Sequence, residues 1–183
     1  MRQIIAIAAL VCVATTFTNK ANAQALTTED IKSLMVKEWE RAKAYTIEYM
    51  NTMPANKYGF KAQDSIRSFA QQLLHLAGGN VFLMNTATGD ATPAWSGRDL
   101  EQRPGAQSKD SVVFYVNASY DYCINAVKNA DLAKWGEKVK VFGMEQTRYA
   151  MMIKTFEHQT HHRGQTTIYI RLQGIKPPQE KLF

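Results

Sequence analysis

Apolar residues recur three and four positions apart through most of the chain. Four stretches hold that spacing long enough to form helices with one buried face. In the first, from about Thr28 to Met53, the residues Met35, Trp39, Ala42, Thr46, Tyr49 and Met53 line one side. Thr28 stands where a cap is needed, Glu29 and Asp30 suit the positive end of the helix, and Pro54 closes it. The second runs from about Asp64 to Asn85, with Ile66, Phe69, Ala70, Leu73, Ala77, Val81 and Met84 on one face. The third runs from about Lys109 to Ala130 and turns Val112, Val113, Val116, Tyr120 and either Cys123 or Ile124 inward. The fourth runs from about Gln146 to Gln173, where Gly174 and then Pro177-Pro178 stop it. No stretch alternates clearly enough to predict a strand of the core. The pattern is that of an all-α four-helix bundle.

The connections are informative because two of them are long. Asn85 to Ser108 carries Gly89, Pro93, Gly97, Pro104 and Gly105 and so reads as a real loop. Loops of that length in compact domains often carry function. Trp95 within it is either a lid or rim residue of a site or a cover for one end of the bundle. The connection before the last helix holds Trp135 and the apolar run from Val139 to Phe142, which leaves room for a short extra turn or strand.

The chain has 183 residues, which suits one domain with a core of its own. Its first segment follows a different logic. Met1-Arg2 is a short positive start, Ile4 to Val13 is an apolar run, and Ala21-Asn22-Ala23 places small residues where a signal peptidase reads. That run is shorter than the roughly 20 residues needed to span a bilayer. Residues 1–23 are therefore expected to be a cleaved signal peptide and 24–183 the folded domain, exported to the periplasm or beyond. Loss of Arg2 and Lys20 with the signal would lower the formal charge from +6 to +4. A mild, scattered excess of that kind predicts neither a nucleic-acid partner nor, once the signal is gone, a membrane partner. Cys12 leaves with the signal, so Cys123 would be the one thiol remaining, expected to be buried.

The chemistry-bearing residues are the four histidines. His75 lies on the second helix, and His158, His161 and His162 on the fourth. Successive helical residues turn by about 100°, so His158 and His162 point within about 40° of each other and can grip one ion. His161 lies about 60° from His158 and matches less well. A third ligand has to come from elsewhere, and His75 is the histidine left. Met151, Thr155, His158, His162, Gln165 and Tyr169 share one stripe, which reads as an interior face with polar groups set into it. Gly78 and Gly79 follow His75, and two glycines inside a helix cost roughly 1 kcal/mol each against alanine. Open space beside a site would account for that cost. Three neutral imidazoles suit a divalent transition ion, zinc or nickel foremost, and leave a coordination position open, as catalytic sites do. No carboxylate announces itself as a general base, and Glu157 points about 100° away from the neighbouring ligand. Arg163 reads either as a structural pair partner or as an anion-binding group.

The segment His158-Gln-Thr-His-His-Arg-Gly-Gln165, with Tyr169-Ile-Arg-Leu-Gln-Gly174 and Pro177-Pro178 after it, resembles the terminal signature of the DinB family of metalloenzymes. The family is distinct from the DNA polymerase that shares the name. His75 within Gln71-Gln-Leu-Leu-His-Leu-Ala77 matches that family's first ligand, and Trp39 early in the chain also fits. The resemblance implies a bundle in up-down-down-up order and one divalent metal held by His75, His158 and His162. It further implies a homodimer, and relatives that include transferases and isomerases; with the open metal position, the expectation is a metal-dependent enzyme acting on a small molecule, as a hydrolase or a thiol or group transferase. Characterised relatives activate a low-molecular-weight thiol on the metal. Such thiols belong to the reducing cytosol, and an exported chain would sit away from that pool. The alternative is an exported metal- or ligand-binding protein without turnover.

Overall fold

A computed structural model of the chain describes residues 25–97 and 99–183, so the expected signal peptide lies outside the described residues. Four helices make up the body: α1 (Thr28–Thr52), α2 (Phe69–Thr88), α3 (Lys109–Asn129) and α4 (Arg148–Leu172). None of the described helices is long and apolar enough to cross a membrane. Helix α1 packs on α3 and α4, and α2 packs on the same two, so α1 stands diagonally across the bundle from α2, and α3 from α4.

The direction of each helix follows from which residues meet. Along α1 and α3 the pairs Lys32–Ala130, Lys43–Asp121 and Met53–Lys109 run in opposite order, so these helices are antiparallel. Along α1 and α4 the pairs Trp39–Phe156, Tyr45–Arg163 and Tyr49–Thr167 rise together, so these are parallel. Along α2 and α4 the contacts Arg67–Tyr169, Gln72–Gln165 and Gly79–His158 again run in opposite order. The order is therefore up-down-down-up. Helices α2 and α3 point the same way, and the chain from Gly89 to Ser108 must travel the length of the bundle between them.

Each inward stripe expected on α1 is buried, with Trp39 fully enclosed and edge-on to Tyr120 and Phe156. The helix starts at Thr28, as its spacing suggests, but the residue that caps it stands one position earlier. Thr27 is the cap: its hydroxyl accepts from the Asp30 amide, and the Asp30 carboxylate accepts from the Thr27 amide. Arg163 turns out to be interior. It donates to Gln159 Oε1 at 3.0 Å and lies over the Tyr45 ring, and it forms no ion pair among the described residues. Cys123 is buried, as expected.

One expectation needs correction. Helix α2 begins at Phe69, not near Asp64, and Ile66 is 38% exposed rather than part of the core. The reason is local. Ser68 and Gln71 form a reciprocal capping box, with the Ser68 hydroxyl accepting from the Gln71 amide and the Gln71 side chain accepting from the Ser68 amide. That box stops the helix before Arg67, whose carbonyl is taken by the Tyr169 hydroxyl. Before α4, where the apolar run from Val139 to Phe142 left room for a turn or strand, the chain forms a hairpin of β1 (Lys138–Val141) and β2 (Met144–Thr147). Its two-residue turn, Phe142-Gly143, has positive φ at both positions, 48° and 79°. Asparagine or glycine is the usual first residue of such a turn, and a bulky side chain there costs roughly 1–2 kcal/mol. Trp95 packs against Tyr115 of α3 with ring centroids 5.4 Å apart and planes tilted by 50°.

Ser68→Ala is expected to lower stability by about 1 kcal/mol by removing the cap. Denaturant unfolding would check this, and an unchanged midpoint would mean that the irregular segment before α2, not the cap, sets where the helix starts.

Candidate metal centre

The antiparallel seam of α2 and α4 brings together three histidines from distant parts of the chain. One ligand-type atom from each of His75, His158 and His162 lies within 4.8 Å of the other two. The ring centroids stand 5.4 Å apart for His75 and His158, 4.5 Å for His75 and His162, and 4.4 Å for His158 and His162. His161 points outward, is exposed, and stays outside the group. Gln165 is exposed too, so the inward stripe expected on α4 is interrupted there. Glu157 is an exposed side chain.

Each imidazole is held by a different device. Nδ1 of His75 lies 3.0 Å from Oε2 of Glu101, whose carboxylate is also bridged by Nε and Nη2 of Arg67 at 2.6 and 3.1 Å. A carboxylate on one ring nitrogen fixes the tautomer and leaves the other nitrogen free for a ligand. The amide of Gln72 lies 2.8 Å from Nδ1 of His162 and also touches the amide of Gln165, whose far end is 2.7 Å from Nε2 of His161. Amide oxygen and nitrogen are alike in outline, so this chain can run in either sense. With the Gln72 oxygen toward His162, Nδ1 carries the proton and Nε2 is free, which is the form a metal ligand needs.

His158 shows the clearest fit to an ion. Its Nδ1 is buried and has no hydrogen-bond partner. Buried polar atoms are rarely left so, because desolvation without a partner is costly. Its ring also occupies the space above Gly79. A Cβ built at Gly79 would lie 2.1 Å from Cε1 of His158 and 2.8 Å from each ring nitrogen. Glycine at 79 is thus required by the imidazole lying against the α2 backbone, and not by open space as its position suggests. At Gly78 a Cβ would meet only the Gly97 carbonyl, at 3.7 Å.

The surroundings favour neutral rings. Burial, followed by the charges of His158, His75, His161 and Arg67, pushes His162 down to about 3. Burial first, then His75, His161 and Arg67, holds His158 at about 4. Burial and Arg67 also lower His75, against an upward pull from Glu101. An unprotonated imidazole has a lone pair to give, so the group could hold a metal ion on chemical grounds as well as geometric ones.

The sequence pattern of the DinB family matches residues 19–182. The chain belongs to the DinB family. Among solved structures, a DinB-like protein from Bacillus cereus superposes with a TM-score of 0.69 at 15% identity, covering 85% of this chain and 99% of that one. A DinB-like protein from Bacillus subtilis gives 0.63 at 15% identity, with 82% and 96% covered. A conserved protein from Enterococcus faecalis gives 0.60 at 13%, with 78% and 96% covered. At such identities the likeness is one of fold. No curated protein matches the chain.

Beside this DinB centre the loop after α2 contributes what the sequence pattern does not reveal. Glu101 sits in a single 3-10 turn, Leu100–Gln102, and reaches His75 only because that loop folds back along α2. A cavity of about 450 Å³ opens there, lined by Leu74, His75, Gly78, Gly79, Phe82, Leu100, Glu101 and Phe142 among others. A larger hollow of about 730 Å³ lies on the other side of the Arg67–Glu101 pair, lined by Gln71, Gln72 and Gln165.

Two outcomes follow. Gly79→Ala should keep or raise the stability of the metal-free protein, since alanine favours a helix by about 1 kcal/mol and the His158 ring can swing away. It should at the same time weaken metal affinity by about tenfold or more, the scale of losing a positioned ligand. Thermal unfolding beside a metal titration would separate the two effects, and unimpaired metal binding would refute the steric argument. For acid, the unfolded chain takes up protons on these histidines near pH 6.5 while the folded chain does not until about 3 to 4. Stability of the metal-free protein should therefore fall as pH drops from about 6.5 toward 4. A His158→Gln/His162→Gln variant should show a shallower fall in the same unfolding measurement.

Proposed function

We propose that this DinB-family chain is an exported metal-dependent enzyme in which His75, His158 and His162 hold one divalent transition ion, zinc or nickel. The observation that carries the proposal is that His75 belongs both to the three-histidine group and to the wall of the 450 Å³ cavity. An ion held there would have a face toward a space of the right size for a small molecule. Such an ion supplies Lewis acidity and makes a bound water or thiol a nucleophile near neutral pH. The chain's own groups do the rest. Glu101 and Gln72 orient the rings of His75 and His162, Gly79 admits the ring of His158, and the loop from Gly89 to Ser108 closes the cavity on one side. Hydrolysis and group transfer both fit this arrangement. Export rests on the N-terminal pattern of Met1 to Ala23 and speaks for a substrate met outside the cytosol. A homodimer and the absence of a nucleic-acid partner belong to the same reading, and light scattering with a DNA mobility assay at low salt tests both.

One observation favours a second reading, a metal- or ligand-binding protein without turnover. The carboxylate beside the site, Glu101, is committed to Arg67 and His75, so it is not free to take a substrate proton.

Elemental analysis of the purified protein should find about one divalent ion per chain, as three-histidine sites hold. His75→Ala, His158→Ala and His162→Ala should each lose it, and His161→Ala should keep it. If none of the four changes the metal content, the site is wrong. The loaded protein is then screened against esters, amides, epoxides and thiol-conjugation substrates. Silence throughout, with the ion coordinatively saturated, would favour binding without turnover.

A further inference from the structure

Phe142 stands at the mouth of the cavity in a conformation that its side chain does not favour. Its φ of 48° belongs to the left-handed region, and the turn it opens would take asparagine or glycine more readily. Its ring is not used by the core either, being 73% exposed. The ring lies over Phe82 of α2, with centroids 5.8 Å apart and planes tilted by 43°, and both residues line the cavity that His75 borders. A bulky apolar side chain that is strained, exposed and aimed at a cavity breaks three local preferences at one position. Residues held in unfavourable backbone regions cluster where a ligand is gripped.

We propose that Phe142 is the outer jaw of an aromatic clamp, with Phe82 behind it, and that the cavity takes a small molecule bearing a planar apolar group. The apolar wall comes from Leu74, Val81 and Leu100, and polar contacts come from Asn85, Thr92 and Ser96 at the rim. The volume of about 450 Å³ lies within the roughly 300–1,000 Å³ of small-molecule sites. An aromatic ligand lying in the cavity beside this pair meets both rings, through offset or edge-on contact. Its polar end would be directed toward His75. The proposal deepens the enzymatic reading by naming the substrate class, and rests on that reading only for the polar end.

The test uses the neutral probe N-phenyl-1-naphthylamine, whose fluorescence reports an apolar site, on the full domain without metal. Wild type and Phe142→Trp should bind it alike. Phe142→Asn should bind it about tenfold more weakly or worse, a difference typical of a lost aromatic contact in a pocket. Its unfolding temperature should equal or exceed that of wild type, because Asn-Gly suits the turn. Failure of wild type to bind, or equal binding by Phe142→Asn, overturns the clamp. So does a marked loss of stability in Phe142→Asn, which would make the ring a structural element. A Phe142→Asn variant that turns dimer into monomer with probe affinity unchanged overturns it as well, in favour of an interface. The metal-loaded protein is then offered benzohydroxamate and acetohydroxamate. Preference for the benzoyl compound, lost in Phe142→Asn, joins clamp and ion. If neither hydroxamate binds while the probe result holds, the metal reading fails and the clamp stands.

Discussion

The antiparallel seam between α2 and α4 is the constraint on which the rest depends. Three imidazoles can meet only if the two backbones approach closely at one level, and Gly79 permits that approach by leaving its Cβ position to the His158 ring. A residue with any side chain there would push the ring out or the helices apart. The seam is also tied on one side of the histidines. Tyr169 bonds the Arg67 carbonyl at one end, and Gln72 meets His162 and Gln165 next to it. These contacts hold the register, so that rings on different helices point at a common centre.

Around that seam the bundle order has a structural consequence for chemistry. Because α2 and α3 run the same way, the chain between them has to cross the length of the bundle, and it does so over the face of α2 that carries His75. The crossing delivers Glu101 to the ring of His75 and closes one side of the cavity. The hairpin between α3 and α4 closes another side with Phe142. Topology that looks like a cost in loop length thus supplies the walls of the site. The electrostatics agree with the geometry. Burial and the charge of Arg67 lower the pKa of all three rings, neighbouring histidines lower His158 and His162 further, and Glu101 together with Arg67 forms a fixed outer frame. The buried Arg163, held by Gln159 and Tyr45, braces α4 against α1 and faces away from this frame.

Much of this was legible in the chain before folding. The helical spacing of apolar residues predicts four helices, and the stripe of Met35, Trp39, Ala42, Thr46, Tyr49 and Met53 is buried as that spacing requires. The four-residue interval between His158 and His162 places them together on α4, because that interval is set by the pitch of the helix alone. The start of α2 was misread because the apolar spacing continues back through Ile66, while the chain obeys the shorter-range signal of Ser68 and Gln71. The apolar run Val139–Phe142 leaves room for a turn or strand but does not declare a hairpin, because strands of four residues each are too short for alternation to show.

Properties of a single segment, namely helix position, inward face, cap chemistry and the pairing of His158 with His162, are determined by the sequence, since they depend on residues within one or two turns. The partners of Glu101, the reason for Gly79, the burial of Arg163 and the place of Phe142 over a cavity were decided only by the tertiary structure. Each of them joins residues far apart along the chain, and no periodicity within a segment encodes which face of a distant helix it will meet.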